Sequence, residues 1–252
     1  MNRHIWCLTL ARHSAPSYPC PECTRGTLKL VPKSLAFKET ISSQRAHGAE
    51  GWDPELISYT FTAWLKCSHT VCGQEVVVSG VGGVEAWYDN EEGTTGWSDY
   101  FAPRWCSPMP DLFQFPAKCP VDVKKQLRAS FRLFWSDHAA AASKVRIALE
   151  CLLNHVGVPK RKKDKNGKLA DLSLHKRVEI LQQGKSDLGS QLMALKWLGN
   201  TGSHEAQVSR DDLLDAFEIL EHALSELIDR RSEKVIELAK KLTKKHAPKR
   251  TK

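Results

Sequence analysis

No apolar run in the sequence approaches the ~20 residues needed to cross a bilayer, which excludes a membrane-spanning helix as an expectation. The short apolar patch Ile5 to Ala11 is closed by Arg12 and His13, too early for a signal peptide. Gly80-Val81-Gly82-Gly83 lacks the G-x-G-x-x-G spacing, and no P-loop lysine accompanies it, so neither common nucleotide cradle is expected. Acidic residues are scarce in two places. Residues 230–252 carry ten Lys/Arg against Glu233 and Glu237, a net +8, and residues 160–168 carry six against Asp164, a net +5. The whole chain is +8, so the remainder sums to about −5. Basicity belongs to one loop and the tail, not to the body.

What is present is the composition of a soluble globular protein, 41% hydrophobic and 26% charged over 252 residues. That length suits one large domain or two modest ones. A cytoplasmic location with no membrane partner is expected. The basic segments, including Lys160, Arg161, Lys162, Lys163, Lys240, Lys241, Lys244 and Lys245, can neutralise nucleic-acid phosphates. They read equally as a solvated loop and a fraying terminus.

Eight cysteines stand at positions 7, 20, 23, 67, 72, 106, 119 and 151. In a secreted chain they would suggest disulfides, but in a cytoplasmic one two close pairs argue for metal. Cys20 and Cys23 form Cys-x2-Cys in a tight turn after Pro19, and Cys67 and Cys72 form Cys-x4-Cys followed by Gly73. Together they supply four thiolates for one closed, structural Zn²⁺. His69 offers an alternative to Cys67, although four thiolates form the simpler set. With every position filled, the metal is structural and not catalytic. Extended patterns at Leu28–Val31, Tyr59–Leu65 and Glu75–Ser79 complete the layout of a zinc ribbon, where metal replaces a core too small to stand alone. Cys7, Cys106, Cys119 and Cys151 read as small hydrophobes. Residues 80–101 suggest a hairpin or surface loop. Five prolines from Pro103 to Pro120 exclude long helix and mark a connector.

From Val121 the period becomes helical. Val123, Leu127 and Phe131 mark one helix, residues 138–156 a second, Leu174, Val178 and Leu181 a third, and Leu188 to Leu198 a fourth. Ser209-Arg210-Asp211-Asp212 resembles a capping box and opens a last helix, which the pattern allows to continue through Val235, Leu238 and Leu242. The expected class is α+β: a β-rich zinc-ribbon module at 1–118, an antiparallel helical bundle at 119–230, and a basic helical or disordered tail at 231–252. Between the fourth and last helices lies Lys196-Trp197-Leu198-Gly199-Asn200-Thr201-Gly202-Ser203-His204-Glu205. Gly followed by Asn reads as a helix C-cap, or the stretch forms a polar site between helices.

The blocks Phe131–Trp135, Lys144–Glu150, Leu174–Arg177, Lys196–Glu205 and Asp212–Phe217 together resemble a bacterial domain grouped with the HEPN superfamily and found in restriction-enzyme subunits and phage-defence genes. The resemblance covers about residues 121–230, and members fronted by a zinc ribbon match Cys20, Cys23, Cys67 and Cys72. It implies a helical dimer. In catalytic members an Arg-x(4–6)-His motif from both chains makes a metal-independent ribonuclease, with His as acid/base and Arg as the phosphate's counter-charge. Asn200 and His204 match that motif. Gly199, Leu198 and Trp197 occupy the positions allowed for Arg, Lys196 lies one residue beyond, and Arg146 would serve only if folding brought it near. The expectation is therefore a non-catalytic HEPN-like nucleic-acid-binding or adaptor subunit of a defence system, acting on RNA, DNA or a partner protein of a defence operon. A divergent ribonuclease using His204, Asn200, Lys196 and Arg146 is the alternative, and a purely protein-binding scaffold the third reading.

Overall fold

The computed structural model describes residues 1–90, 93–163, 167–201 and 207–246, with backbone alone at 199–201. Two compact units emerge. One comprises Met1–Leu112 with Phe131–Ala141, the other Phe113–Ser130 with Ala142–Lys252. The class is mixed α+β.

The first unit is built on an antiparallel sheet of β1 (Leu28–Leu30), β2 (Ala36–Glu39), β3 (Ser58–Cys67), β4 (Glu75–Asp89) and β5 (Thr94–Ser107). β1 and β2 share one edge of β3: Leu28 faces Cys67 at one end, and Glu39 faces Tyr59 at the other. Side chains alternate along β3, with Phe61, Ala63, Leu65 and Cys67 buried and Thr60, Thr62, Trp64 and Lys66 exposed. That period of two gives the sheet one dry face and one wet face. On the dry face the rings of Phe37, Tyr59 and Phe61 gather on Phe101, with centroids 5.0, 6.2 and 5.3 Å away. Leu10 exchanges both backbone hydrogen bonds with Phe101, at 2.8 and 2.9 Å, and Arg12 pairs with Asp99 while lying over Phe37. The apolar patch near the N-terminus thus gives two residues, Trp6 and Leu10, to the core, while Leu8 and Ala11 stay exposed. Trp6 and Leu10 are each 1% exposed, and the rings of Trp6, Tyr18 and Trp135 pack in a triangle with centroids 5.2 to 5.9 Å apart, Trp135 meeting Tyr18 edge-on.

The hairpin expected within 80–101 is the β4–β5 pair, and it is longer than the Gly-rich stretch suggests. β5 runs through Pro103, which a bulge accommodates: Ser79 faces Trp105 and Gly80 faces Pro103, leaving Arg104 as the extra residue. Gly80 has no room for a side chain there, because a Cβ would meet the Ala102 carbonyl and, at 2.9 Å, the Phe61 ring.

The second unit contains most of helix α2 (Val121–Leu133) and α3 (His138–His155), then α4 (Leu174–Gly184), α5 (Ser186–Thr201), α6 (Arg210–Leu227) and α7 (Arg231–His246), together with a small helix-independent hairpin. α1 (Ile41–Ala46) belongs to the first unit. Leu149, Leu152, Leu153, Val178, Leu192, Leu213, Phe217 and Leu220 are fully buried, at the three- and four-residue steps of amphipathic helices. Three local expectations are corrected. The basic loop is the hairpin β6 (Arg161–Lys163) and β7 (Leu169–Asp171), closed by an Arg161–Asp171 ion pair of 2.6 Å. α5 continues through Gly199 and Asn200 to Thr201, so that pair does not stop the helix. The last helix is two helices, because Arg230 turns left-handed (φ 51°) between α6 and α7.

Arg177 is a buried charge at 5% exposure, donating to Asn154 Oδ1 at 2.7 Å and to the Val158 carbonyl at 3.2 Å. It ties the end of α3 to α4, and burial lowers its pKa. The capping box is present: Asp212 N–H donates to Ser209 Oγ at 3.1 Å, and Ser209 N–H to Asp212 Oδ2 at 2.8 Å. Hydrogen bonds from the Ser209 hydroxyl and amide hold the Asp212 carboxyl below its usual range. A depressed carboxyl adds stability above the ordinary carboxylate pKa and loses it as pH falls through the folded value. Ser209→Ala should therefore cost about 1 kcal/mol at neutral pH, and the gap to wild type should narrow in acid, as read by chemical denaturation at pH 7 and pH 3.

Candidate metal centre and basic surfaces

Two turns build the metal centre. In the first, Thr24 N–H donates to the Cys20 carbonyl at 3.2 Å, and Cys20 N–H to the Gly26 carbonyl at 2.9 Å. In the second, Cys72 N–H donates to the His69 carbonyl at 2.9 Å. The residue after the second cysteine of each turn is left-handed: Thr24 at φ 54° and Gly73 at φ 61°. Glycine takes that conformation freely, whereas a β-branched threonine is strained in it. Ser68 N–H donates to the Thr27 carbonyl at 2.8 Å and Thr27 N–H to Ser68 Oγ at 3.0 Å, stitching the turns together. The β1–β3 pairing thus closes the 43 residues that separate the two cysteine pairs in sequence.

Cys20 Sγ lies 3.7 Å from Cys72 Sγ, Cys23 Sγ lies 3.6 Å from Cys67 Sγ, and all four are within 4.8 Å of one another. Four sulfurs placed tetrahedrally at ~2.3 Å from one ion are about 3.8 Å apart, so these cysteines can hold a metal ion. The His69 ring is not part of the group. Its contribution is a backbone N–H that donates to Cys67 Sγ at 3.4 Å. Amide donation from Gly26, aided by Arg25, lowers the Cys23 thiol to about 6, while removal from water pushes Cys67 up to about 12. Four thiolates this close need a cation's charge to coexist.

Gly26 is a site residue that the cysteine spacing does not reveal. A Cβ there would lie 2.5 Å from Cys67 Sγ and 2.9 Å from the His69 amide nitrogen. Its only trace in the sequence is a glycine three residues past Cys23. The other cysteines are free; Cys106 and Cys119 are buried, and burial pushes the Cys106 thiol up to about 12.

The basic residues stand in the open. Lys160, Arg161, Lys162 and Lys163 are exposed on and beside β6, and Lys240, Lys241, Lys244 and Lys245 are exposed on α7. α7 buries no residue, and Val235, Ile236, Leu238 and Leu242 are all more than half exposed. His204 lies outside the described residues, as does the Asn200 side chain. Lys196 Nζ stands 3.2 Å from the Trp197 ring centroid, and Trp197 meets His175 edge-on at 6.3 Å. Arg146 pairs with Glu150 on its own helix at 3.6 Å. A cavity of about 970 Å³ is lined by Phe115, Glu218, His222, Glu226, Asp229 and Ile236 among others, but not by Lys196, Arg146 or β6. Its acidic lining does not suit phosphate. No helix among the described residues is long and apolar enough to cross a membrane.

Metal analysis of the purified chain should find about one ion per molecule, and Cys20→Ser or Cys67→Ser should abolish it together with the cooperative unfolding of the first unit. A cooperative transition that survives without metal would refute the structural role. Gly26→Ala should weaken metal retention against a chelator, whereas Thr24→Gly should raise the unit's stability by about 1 kcal/mol through relief of the left-handed threonine.

Residues 8–106, which carry the sheet and all four clustered cysteines, match the model of a domain of unknown function, DUF8608. Residues 128–247, which run from late α2 into the end of α7, match that of a second domain of unknown function, DUF4145. No curated protein and no solved structure matches the chain.

Proposed function

We propose that the chain is a non-catalytic nucleic-acid-binding or adaptor module whose β-rich unit is held by a structural Zn²⁺. The observation that carries this reading is the placement of cations. Two exposed elements, the β6 strand and α7, hold Arg161, Lys162, Lys163, Lys240, Lys241, Lys244 and Lys245 on a chain whose remaining body is acidic. Cations displayed this way gain affinity for phosphates by releasing condensed counterions. Zinc is the ion of choice because a closed set of four thiolates leaves no open coordination position and favours a borderline-soft metal. The resemblance of residues 121–230 to HEPN domains supports a homodimer acting in bacterial defence, in the reducing cytoplasm where free thiols persist.

Fluorescence anisotropy with labelled RNA and duplex DNA between 50 and 200 mM salt tests the reading. Affinity should fall steeply with salt, and replacing Lys240, Lys241, Lys244 and Lys245 by Ala should flatten the log–log slope by about three. Salt-insensitive or absent binding would favour the protein-binding scaffold. RNA cleavage lost in His204→Ala would make the chain a divergent ribonuclease instead.

A further inference from the structure

We propose that the wet face of the five-stranded sheet is a stacking platform for single-stranded nucleic acid, with Trp64 and Trp105 receiving bases and Lys29, Lys38 and Arg104 meeting phosphates. This rests on the nucleic-acid reading above and gives it a second surface, remote in sequence from the basic tail. Trp64 and Trp105 are each 48% exposed, and Val81 on the same face is 41% exposed. Large indoles left half in water on a regular strand do nothing for the core beneath, where Phe61, Leu65, Val76 and Val78 point the other way and are buried.

Register places these residues together. Trp64 faces Val77 and Trp105 faces Ser79, so the two tryptophans share a face with β4 between them. Strand spacing of ~4.8 Å and a rise of ~3.3 Å per residue put their Cα atoms about 12 Å apart. That is too far for one ring to cover the other and near enough for one flexible strand to reach both. Around them stand Thr60, Thr62, Ser79 and Ser107, with exposed Lys29 on β1, Lys38 on β2 and Arg104 beside Trp105. Lys66, also on this face, is paired with Glu75 at 3.3 Å.

The chemistry selects the occupant. Every base has a π-face, so spaced aromatics among cations bind single strands without reading sequence, whereas a duplex keeps its bases inside. A second copy of this face would oppose like charges, and an apolar protein partner would leave the lysines and hydroxyls against a dry surface. Further along the same face Trp87 lies over Gly96, but Glu85 and Asp89 flank it on β4, and the acidic residues bound the platform.

The test uses the full chain with its metal and fluorescein-labelled dT and U homopolymers of about 20 nucleotides, beside a mixed-sequence duplex of equal length. Trp64→Ala/Trp105→Ala should weaken single-strand binding at least about tenfold and leave duplex binding nearly unchanged, while Trp64→Phe/Trp105→Phe should restore most of it. Lys29→Glu/Lys38→Glu, which removes no ring, should lower affinity and flatten the salt dependence. Circular dichroism and metal content report whether each variant is folded. Wild-type affinity for homopolymers in folded Trp→Ala and Lys→Glu variants would overturn the platform, even if replacing the α7 lysines weakens binding and sustains the broader reading. Failure of wild-type protein to bind any of the three probes would overturn both.

Discussion

Four cysteine sulfurs lie within 4.8 Å of one another, and as thiolates they would repel one another unless a cation lay between them. That constraint organises the first unit. It joins the turn at Cys20–Cys23 to the turn at Cys67–Cys72, and the second of these is the connection between β3 and β4. β1 lies on the sheet edge with Leu28 opposite Cys67, at the end of β3 that carries the cluster. An ion held there would fix the Cys67 end of β3, where it pairs with β1 and turns into β4, and the alternation along β3 then decides which residues are core and which face water.

The cysteine cluster was legible in the sequence because ligand spacing is local within each pair and needs only one long-range event to close. Helix existence was legible for the same reason: buried residues such as Leu149 and Phe217 recur at short intervals. Features that failed to show are those in which tertiary context outvotes a local preference. Gly199-Asn200 is a good helix end, yet α5 passes through it. Arg230 is neither Gly nor Asn, yet it takes the left-handed turn that separates α6 from α7. β6 buries nothing, so its strand has no apolar alternation to read. Gly26 and Arg177 carry no signal of their own; one matters through a sulfur distant in sequence, the other through the end of a preceding helix. The candidate catalytic stretch is legible only as a resemblance, since His204 lies outside the described residues.

Charge is segregated within the second unit as well as along the chain. In the cavity beside the start of α7, Glu218, Glu221, Glu226 and Asp229 outnumber Arg231, while the helix beyond it becomes basic on one side and apolar on the other. A helix with a lysine face and an unburied stripe of Val235, Leu238 and Leu242 gains little from its own domain. Its stability in isolation must come from helix propensity and capping, which are weak over sixteen residues. The acidic body and the basic appendages also oppose in sign, so the chain's modest total charge conceals two strongly different surfaces.

The bulge at Ser79/Gly80 acts as a parity switch. On its far side the odd-numbered Phe101 and Pro103 point into the core, and on its near side the even-numbered Cys106 does. The bulge gives one supernumerary residue, Arg104, a place without a partner, and so both sets are inside while Trp105 stays out. Pairing β5 regularly with Arg104 kept would put one of its halves out of phase with β4. Either Trp105 would be driven beneath the sheet and Cys106 out of it, or Phe101 would lose its place among the rings. Deleting the arginine would instead remove the bulge and leave Pro103, Trp105 and Cys106 opposite the partners they have now, so the irregular pairing, and not the length of the strand, is what keeps the surface from inverting.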